Sequence, residues 1–393
     1  MRGFLILVLV CQALYASGLT TGEGTRRSVV RQLLSRLLSE RSPHSGLVDR
    51  HRDAGAADND VIKRLYAKKS SKISKNNAAK RLLTALQATD AFTSANDHAE
   101  HRDTNKRLLA TLDLQLGLSM QDSWHDSFWM GERIYEDWSD WMSGIPDSTK
   151  LQDMSIPGTH DSMALYGGSY VQCQSMSLAE QFKAGIRFLD IRCRYFNGVF
   201  TIHHGAYYQH AIFDDALKAA EKFLRDHPRE TILMSVKQEY SSEPENRFIN
   251  RFKEYLSKFP SSLFWTSNRY PTIGEVRGKI VIVNRFGGDI GLRHDNFDIS
   301  DEYTVHLMFL KLTAVLEHLA KASTSSESKM FLTFCSGVGV ATPAQVASKI
   351  NLHVMKYAKE NRGKNARLGI VVLDFPGSWV SHAIFMTNSG ARG

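Results

Sequence analysis

From about residue 135 onward, apolar positions follow two alternating periods. Short β-branched and aromatic runs bounded by turn residues predict strands at Ile186–Ile191, Val199–His203, Thr231–Val236, Lys279–Val283, Met330–Phe334 and Leu368–Asp374. Longer stretches with helical spacing predict helices at Phe213–Arg225, Glu245–Lys258, Thr304–Ala322 and Pro343–Glu360. Upstream of these, an apolar run ending at Met154 leads into Pro157-Gly158 and then His160-Asp161, which reads as a buried strand opening into a tight turn. Strands alternating with helices over roughly 270 residues suit a parallel α/β arrangement, and an eight-stranded barrel is typically ~250 residues. The expected fold is a TIM-type (β/α) barrel, irregular or incompletely closed, over residues 122–393.

What precedes the barrel has a different character. Met1-Arg2, the apolar run Phe4 to Val10 and the small residues Ala16-Ser17-Gly18 read as a secretory signal peptide over 1–18. Its apolar core is too short to span a bilayer, and the mature chain is expected to be exported and soluble. Residues 19–121 contain no Trp, and only Tyr66 and Phe92 are aromatic, so this stretch is expected to be a largely disordered basic leader. Lys63-Arg64-Leu65-Tyr66, Lys80-Arg81-Leu82-Leu83 and Lys106-Arg107-Leu108-Leu109 recur within it. They read equally as amphipathic turns, as dibasic processing sites of a propeptide, or as degenerate versions of the leader motifs of secreted oomycete effectors; no complete Arg-x-Leu-Arg occurs. Trp124, Phe128, Trp129, Tyr135, Trp138 and Trp141 then fall within 18 residues, and Trp138, Trp141 and Met142 predict an amphipathic helix docked on the core.

Charge separates the same regions. Residues 19–120 hold 18 Lys+Arg against 11 Asp+Glu, whereas residues 121–393 hold 30 of each. The net +8 therefore belongs to the leader and gives the barrel no nucleic-acid-binding character. Beyond the signal peptide three cysteines remain, which allow one disulfide and one free thiol, Cys173 with Cys193 being the first pair to consider. No Cys-x-x-Cys or Cys/His spacing points to zinc.

In such a barrel the polar residues at strand C-terminal ends carry the chemistry. Those ends offer His160-Asp161, Asp190 and Arg192, His203-His204, Lys237, Arg285 and Asp374. Two imidazoles, with ordinary pKa values of about 6.5, suit a general base and a general acid. A carboxylate beside each fixes tautomer and orientation. A guanidinium between them offers charge-assisted bonds to a phosphate. Base, acid and arginine around a phosphodiester describe phosphoryl transfer to a neighbouring hydroxyl, with no metal required.

Ile156-Pro157-Gly158-Thr159-His160-Asp161-Ser162, Asp190-Ile191-Arg192-Cys193-Arg194 and Ile202-His203-His204-Gly205 resemble the X domain of the phosphatidylinositol-specific phospholipases C, most closely the bacterial secreted type. The resemblance continues through Trp138-Ser139-Asp140-Trp141-Met142, Met234-Ser235-Val236-Lys237, Gly278-Lys279-Ile280-Val281 with Asn284-Arg285, and Val371-Val372-Leu373-Asp374. It implies that His160 is the general base for the inositol 2-hydroxyl, oriented by Asp374, and His204 the general acid for the diacylglycerol oxygen, assisted by Asp161. Arg192 would hold the phosphate with Asp190 in support. Lys237, Arg285, Asp301 and Tyr303 would grip the inositol, and His203 would serve the strand alone.

Eukaryotic signalling relatives use Ca²⁺ held by Asn, Glu and Asp oxygens. Here Asp161, Arg192 and Lys237 stand where such ligands would be, and neither a guanidinium nor an ammonium ligates Ca²⁺. The resemblance thus implies a secreted, calcium-independent, cofactor-free monomer acting on phosphatidylinositol in membranes, touched through the aromatics at 124–141 or through Tyr207-Tyr208. Other readings of the same residues are a barrel phosphodiesterase for glycosylated phosphatidylinositol anchors or glycerophosphodiesters, and a non-catalytic lipid-binding or host-interacting protein.

Overall fold

The structure is a computed structural model that describes Phe128 and residues 136–393 apart from Val340. These residues all fall within the second of two compact units, Asp113–Gly393. The signal peptide expected at 1–18, the leader at 19–121, the boundary after it and the aromatics Trp124, Trp129 and Tyr135 lie outside the described residues.

The first strands are β1 (Ser155–Thr159), β2 (Phe188–Phe196), β3 (Val199–His204) and β4 (Tyr207–Ile212), with helix α1 (Leu178–Lys183) between β1 and β2. Then follow α2 (Phe213–Asp226), β5 (Ile232–Gln238), α3 (Glu245–Leu256), β6 (Phe264–Trp265), α4 (Ile273–Val276), β7 (Ile280–Arg285), β8 (Leu292–Arg293), β9 (Asp298–Ser300) and β10 (Thr304–Val305). The chain ends with α5 (Met308–Thr324), β11 (Phe331–Phe334), β12 (Val338–Gly339), α6 (Pro343–Asn361), β13 (Gly369–Leu373) and α7 (Ser378–Phe385). The sheet runs β6-β7-β5-β2-β1-β13-β11-β9, every neighbouring pair parallel, with β8 beside β7 and the antiparallel hairpin β3-β4 carried on β2. Among the described residues no pairing joins β9 back to β6, β7 or β8, so the α/β barrel is curled but incompletely closed.

Side-chain alternation divides the strands into two layers. Ile156, Phe188, Leu233, Val281, Val283, Leu332, Phe334, Ile370 and Val372 form one cluster, the barrel interior. Their neighbours Leu189, Ile191, Met234, Val236, Ile280 and Ile282 pack under α2 and α3, while Val371 and Leu373 pack under α5, α6 and α7. Trp141, Met142, Ile145, Leu151 and Met154 join the interior cluster and close its N-terminal end.

Three local expectations are corrected. Trp138, Trp141 and Met142 do not share a helix: residues Trp141–Gly144 make a single 3₁₀ turn, because Gly144 and Pro146 cannot continue one. The docking itself holds, since Trp141 stacks on Phe385 at 4.8 Å and donates its indole N–H to the Gly185 carbonyl at 2.9 Å. Second, Pro157-Gly158 lies inside β1 rather than in a turn; a Cβ on Gly158 would stand 2.8 Å from Cβ of Phe188, so glycine lets β1 and β2 approach. Third, the helix expected from Thr304 begins at Met308, because Thr304-Val305 pairs with Val338-Gly339 as β10 and β12.

The N-terminal plug is fastened by a buried ion pair. Arg187 donates to Glu230 at 2.8 Å and to the carbonyls of Phe182, Ile186 and Ser139, while Glu230 accepts the Met142 N–H at 2.9 Å. Both side chains are fully buried. Removing one partner of such a pair strands the other charge, at a cost of about 3–5 kcal/mol. Arg187→Ala is therefore expected to lower unfolding free energy by that order in a denaturant titration; a loss under about 1 kcal/mol contradicts the clamp.

Candidate active site

The interior layer reaches the barrel mouth as charge. Asp190 and Arg192 share the parity of Phe188 on β2, Lys237 that of Leu233 on β5, and Arg285 that of Val281 and Val283 on β7. Register sets Arg192 opposite Lys237 and Lys237 opposite Arg285, so three cations stand in one row across adjacent strands. Register also pairs Thr159 with Leu373, which brings the next residues, His160 and Asp374, side by side.

His160 Nδ1 lies 2.9 Å from Asp374 Oδ1, and its Nε2 lies 2.8 Å from Arg192 Nη2. This arrangement assigns the Nδ1–H tautomer, with Nδ1–H donated to Asp374 and the Nε2 lone pair facing the guanidinium. Burial alone would pull the imidazole pKa down, but the Asp374 carboxylate outweighs it against Arg192, and the net shift is upward.

Asp190 organises the cations. It is fully buried, accepts from Arg192 at 3.1 Å, from Arg285 at 3.1 Å and from the Asp161 N–H at 3.2 Å. Burial pushes its pKa up, yet Arg192 and Arg285 together hold it well below the usual carboxylate range. Arg192 is correspondingly held above its ordinary value: burial opposes this, and Asp190, Asp161 and Glu239 prevail.

On the other side of His160 stands His204, at a ring-centroid distance of 6.1 Å and perpendicular to it. Its Nδ1–H donates to the Val171 carbonyl at 2.6 Å. Asp161 Oδ2 lies 3.7 Å from the same nitrogen and 3.4 Å from Arg192 Nη1, in ion-pair rather than hydrogen-bond range. Asp161 adopts φ 42°, a left-handed corner that aspartate tolerates better than most residues. Its burial raises its pKa in spite of Arg192. His160-Asp161 is thus two half-sites: His160 works with Asp374, and Asp161 faces Arg192 and His204.

Lys237 pairs with Glu239 at 3.1 Å and is partly exposed. Arg285 also stands 5.7 Å from the Phe334 ring centroid, and Phe334 lies 6.3 Å from His160 as a wall of the mouth. Asp301 and Tyr303 follow β9 at the same end of the barrel, but both are exposed, and no hydrogen bond or ion pair among the described residues joins their side chains to this cluster. His203 points away from it, beside Tyr208 and Tyr240.

Two residues of the mouth escaped the sequence reading. Glu239 accepts the Gly205 N–H at 3.1 Å and lies 3.9 Å from Arg192, and it shares the parity of Lys237, a signal that was available. Gln174 donates to the carbonyls of His160 at 2.7 Å and Leu373 at 3.0 Å, tying the ends of β1 and β13; nothing in its sequence neighbourhood announces that. The Cys173–Cys193 disulfide does not form. All three described cysteines are free and buried, Cys173 near His204 at the mouth and Cys193 in the outer core among Phe182, Phe213 and Phe248, on the opposite face of β2 from Arg192.

Residues 148–286 match the domain described as "Phosphatidylinositol-specific phospholipase C, X domain". The chain is 33% identical over 263 residues to the "1-phosphatidylinositol phosphodiesterase" of Listeria monocytogenes, covering 60% of this chain and 80% of that protein. It is 31% identical over 312 residues to the protein of the same name from Staphylococcus aureus, covering 69% and 94%. The solved phosphatidylinositol-specific phospholipase C of Listeria monocytogenes superposes with a TM-score of 0.59 at 29% identity, over 64% of this chain and 99% of that one. With identity and coverage of this extent, the chain belongs to the bacterial-type phosphatidylinositol-specific phospholipase C family.

Proposed function

We propose that the protein cleaves phosphatidylinositol to diacylglycerol and a cyclic inositol phosphate by general acid–base catalysis. The observation that carries this reading is the line Asp374–His160–Arg192, with His204 set across from it. His160 Nε2 takes the proton of the inositol 2-hydroxyl, whose oxygen attacks phosphorus and closes the ring. The diacylglycerol oxygen leaves and takes a proton from His204. Arg192 holds the phosphate oxygens, its guanidinium aimed by Asp190 and neighboured by Asp161. Lys237 and Arg285, in the same row, bind inositol hydroxyls, with Asp301 and Tyr303 closing from the β9 side.

A hard divalent cation does not fit this mouth. Asp190, Asp161 and Glu239 each face Arg192, Arg285 or Lys237, so these three carboxylates are already neutralised by fixed cations. This supports a reaction in which the guanidinium supplies the electrostatic role that Ca²⁺ plays elsewhere. Tyr166, Tyr170 and Tyr240, on loops that follow β1 and β5, and Tyr207 and Tyr208, which open β4, are exposed, which suits peripheral contact with a lipid surface. Among the described residues no helix is long and apolar enough to cross a membrane. Export through residues 1–18 and a catalytic unit at 122–393 complete the proposal; N-terminal sequencing of protein from the culture medium tests the export.

Incubated with phosphatidylinositol vesicles in EDTA, the full chain is expected to release cyclic inositol phosphate. His160→Ala and His204→Ala are each expected to reduce turnover by about 10²–10⁴-fold. Full activity in either variant, or activity that returns only with Ca²⁺, contradicts the roles given.

The base must be neutral to act, so the raised pKa of His160 sets the acid limb of the kcat/KM profile above pH 6.5. In Asp374→Asn the carboxylate that raises it is gone, while burial and Arg192, which lower it, remain. The limb is expected to move to lower pH and the plateau to fall; a limb that stays in place removes Asp374 as the partner of His160.

A further inference from the structure

The mouth contains a second constellation, which shares His160 and Asp374 with the proposed reaction and adds Cys173. A ring nitrogen of His160, a carboxylate oxygen of Asp374 and Sγ of Cys173 all lie within 4.8 Å of one another. One imidazole, one carboxylate and one sulfur is a borderline-soft ligand set that suits Zn²⁺ and its heavier congeners and excludes Ca²⁺ and Mg²⁺. Zinc bonds of about 2.0–2.3 Å place tetrahedral ligand atoms roughly 3.3–3.8 Å apart, so an inward movement of about 1 Å completes three of four positions. Water fills the fourth.

We infer that this is an inhibitory site for zinc. Three independent observations support it. Asp374 is 1% exposed, and its Oδ2 has no hydrogen-bond partner among the described residues, an orphaned buried carboxylate oxygen of the kind that a cation relieves. Cys173 Sγ makes only long contacts, 3.4 Å to the Val171 carbonyl and 3.8 Å to His204 Nδ1, and it is a free thiol. The three ligands are also held by backbone bonds. The Phe375 N–H donates to the Cys173 carbonyl at 3.0 Å, the Cys173 N–H to the Ala164 carbonyl at 3.0 Å, and Gln174 bridges the His160 and Leu373 carbonyls.

The chemistry balances simply. Zn²⁺ binds His160 Nδ1, whose proton moves to Nε2 and fills the lone pair there, while the Cys173 thiol binds as thiolate and gives its proton to solvent. With Nε2 protonated and Asp374 no longer its partner, His160 cannot accept the substrate proton. The inhibitory consequence rests on the role given to His160; the binding itself does not. No cysteine–histidine spacing announces the site, because its ligands come from the end of β1, the end of β13 and the loop between β1 and α1.

The test is a competition titration of ZnCl₂ between the full chain and a chromophoric zinc chelator, with activity on phosphatidylinositol vesicles measured alongside. Wild type is expected to bind one Zn²⁺ and to lose turnover in proportion to occupancy, whereas equal concentrations of CaCl₂ do neither. Cys173→Ser keeps the volume of the side chain and is expected to bind zinc at least tenfold more weakly, with the inhibition curve displaced equally and zinc-free turnover unchanged; Cys173→Ala is the second variant should serine disturb packing. Equal zinc affinity in wild type and Cys173 variants, or stoichiometric binding without inhibition, overturns the inference. A wild type that binds zinc through Cys173 yet shows no turnover in zinc-free buffer would instead defeat the catalytic reading and leave the site standing.

Discussion

Two guanidiniums can stand at the mouth of this barrel because one carboxylate beneath them has no access to water. Asp190 is fully buried, and a buried carboxylate is tolerated only when paired and hydrogen-bonded. It receives Arg192 and Arg285, and the backbone N–H of Asp161 as well. That single anion fixes where Arg192 lies, and Arg192 in turn meets His160 Nε2 at 2.8 Å. Without Asp190, two cations on neighbouring strands would repel each other and the guanidinium would have no reason to lean toward the histidine. The phosphate-binding position and the base are therefore consequences of one buried charge.

Sheet alternation delivers every member of this arrangement to the same place. Phe188, Asp190 and Arg192 differ by two residues each, and so do Leu233, Ser235 and Lys237, or Val281, Val283 and Arg285. The interior cluster at the bottom and the ionic cluster at the top are successive layers of one face. Closure at the bottom by Trp141 and the Arg187–Glu230 clamp leaves the mouth as the end where the charged layer meets solvent. The seam between β7 and β9 is the exception: the barrel has no pairing there among the described residues, and Asp301 and Tyr303 on its β9 side are the most loosely held of the expected site residues.

This periodicity explains what was legible in the chain. Strands β5, β7 and β13 are short apolar runs ending in charge, β11 is a plain apolar run, and α2, α3 and α6 carry clean helical spacing, so each could be placed within a residue or two of its observed limits, whereas β2 runs past its expected end at Ile191 to Phe196. The pairings His160 with Asp374 and Asp161 toward His204 were readable only through the family resemblance, since 214 residues separate the first pair. Illegible features depend on chain geometry that no period encodes. The 3₁₀ turn after Asp140, the β10–β12 bridge, the role of Gln174 and the position of Cys173 are all set by loops, where side-chain direction follows individual dihedral angles. Cysteine counting failed for a related reason: Cys193 has the opposite parity from Arg192, so it faces the helices while Cys173 faces the mouth.

The two corners that end β1 and β13 show how closely backbone and chemistry are joined. Asp161 and Phe375, the residues immediately after His160 and Asp374, both adopt φ 42°, an unfavourable conformation for a side-chain-bearing residue. Each corner turns the chain sharply just past the reactive side chain, so that His160 and Asp374 remain in strand-like register while the next residue leaves the sheet. At Asp161 the same turn aims a second carboxylate back toward Arg192 and His204. At Phe375 it sends the N–H to the Cys173 carbonyl and so seats the thiol beside the pair. The strain at these corners is thus the local cost of keeping His160 beside Asp374 while Asp161 turns toward Arg192 and His204, an arrangement that a regular strand end, with side chains alternating in and out, cannot produce.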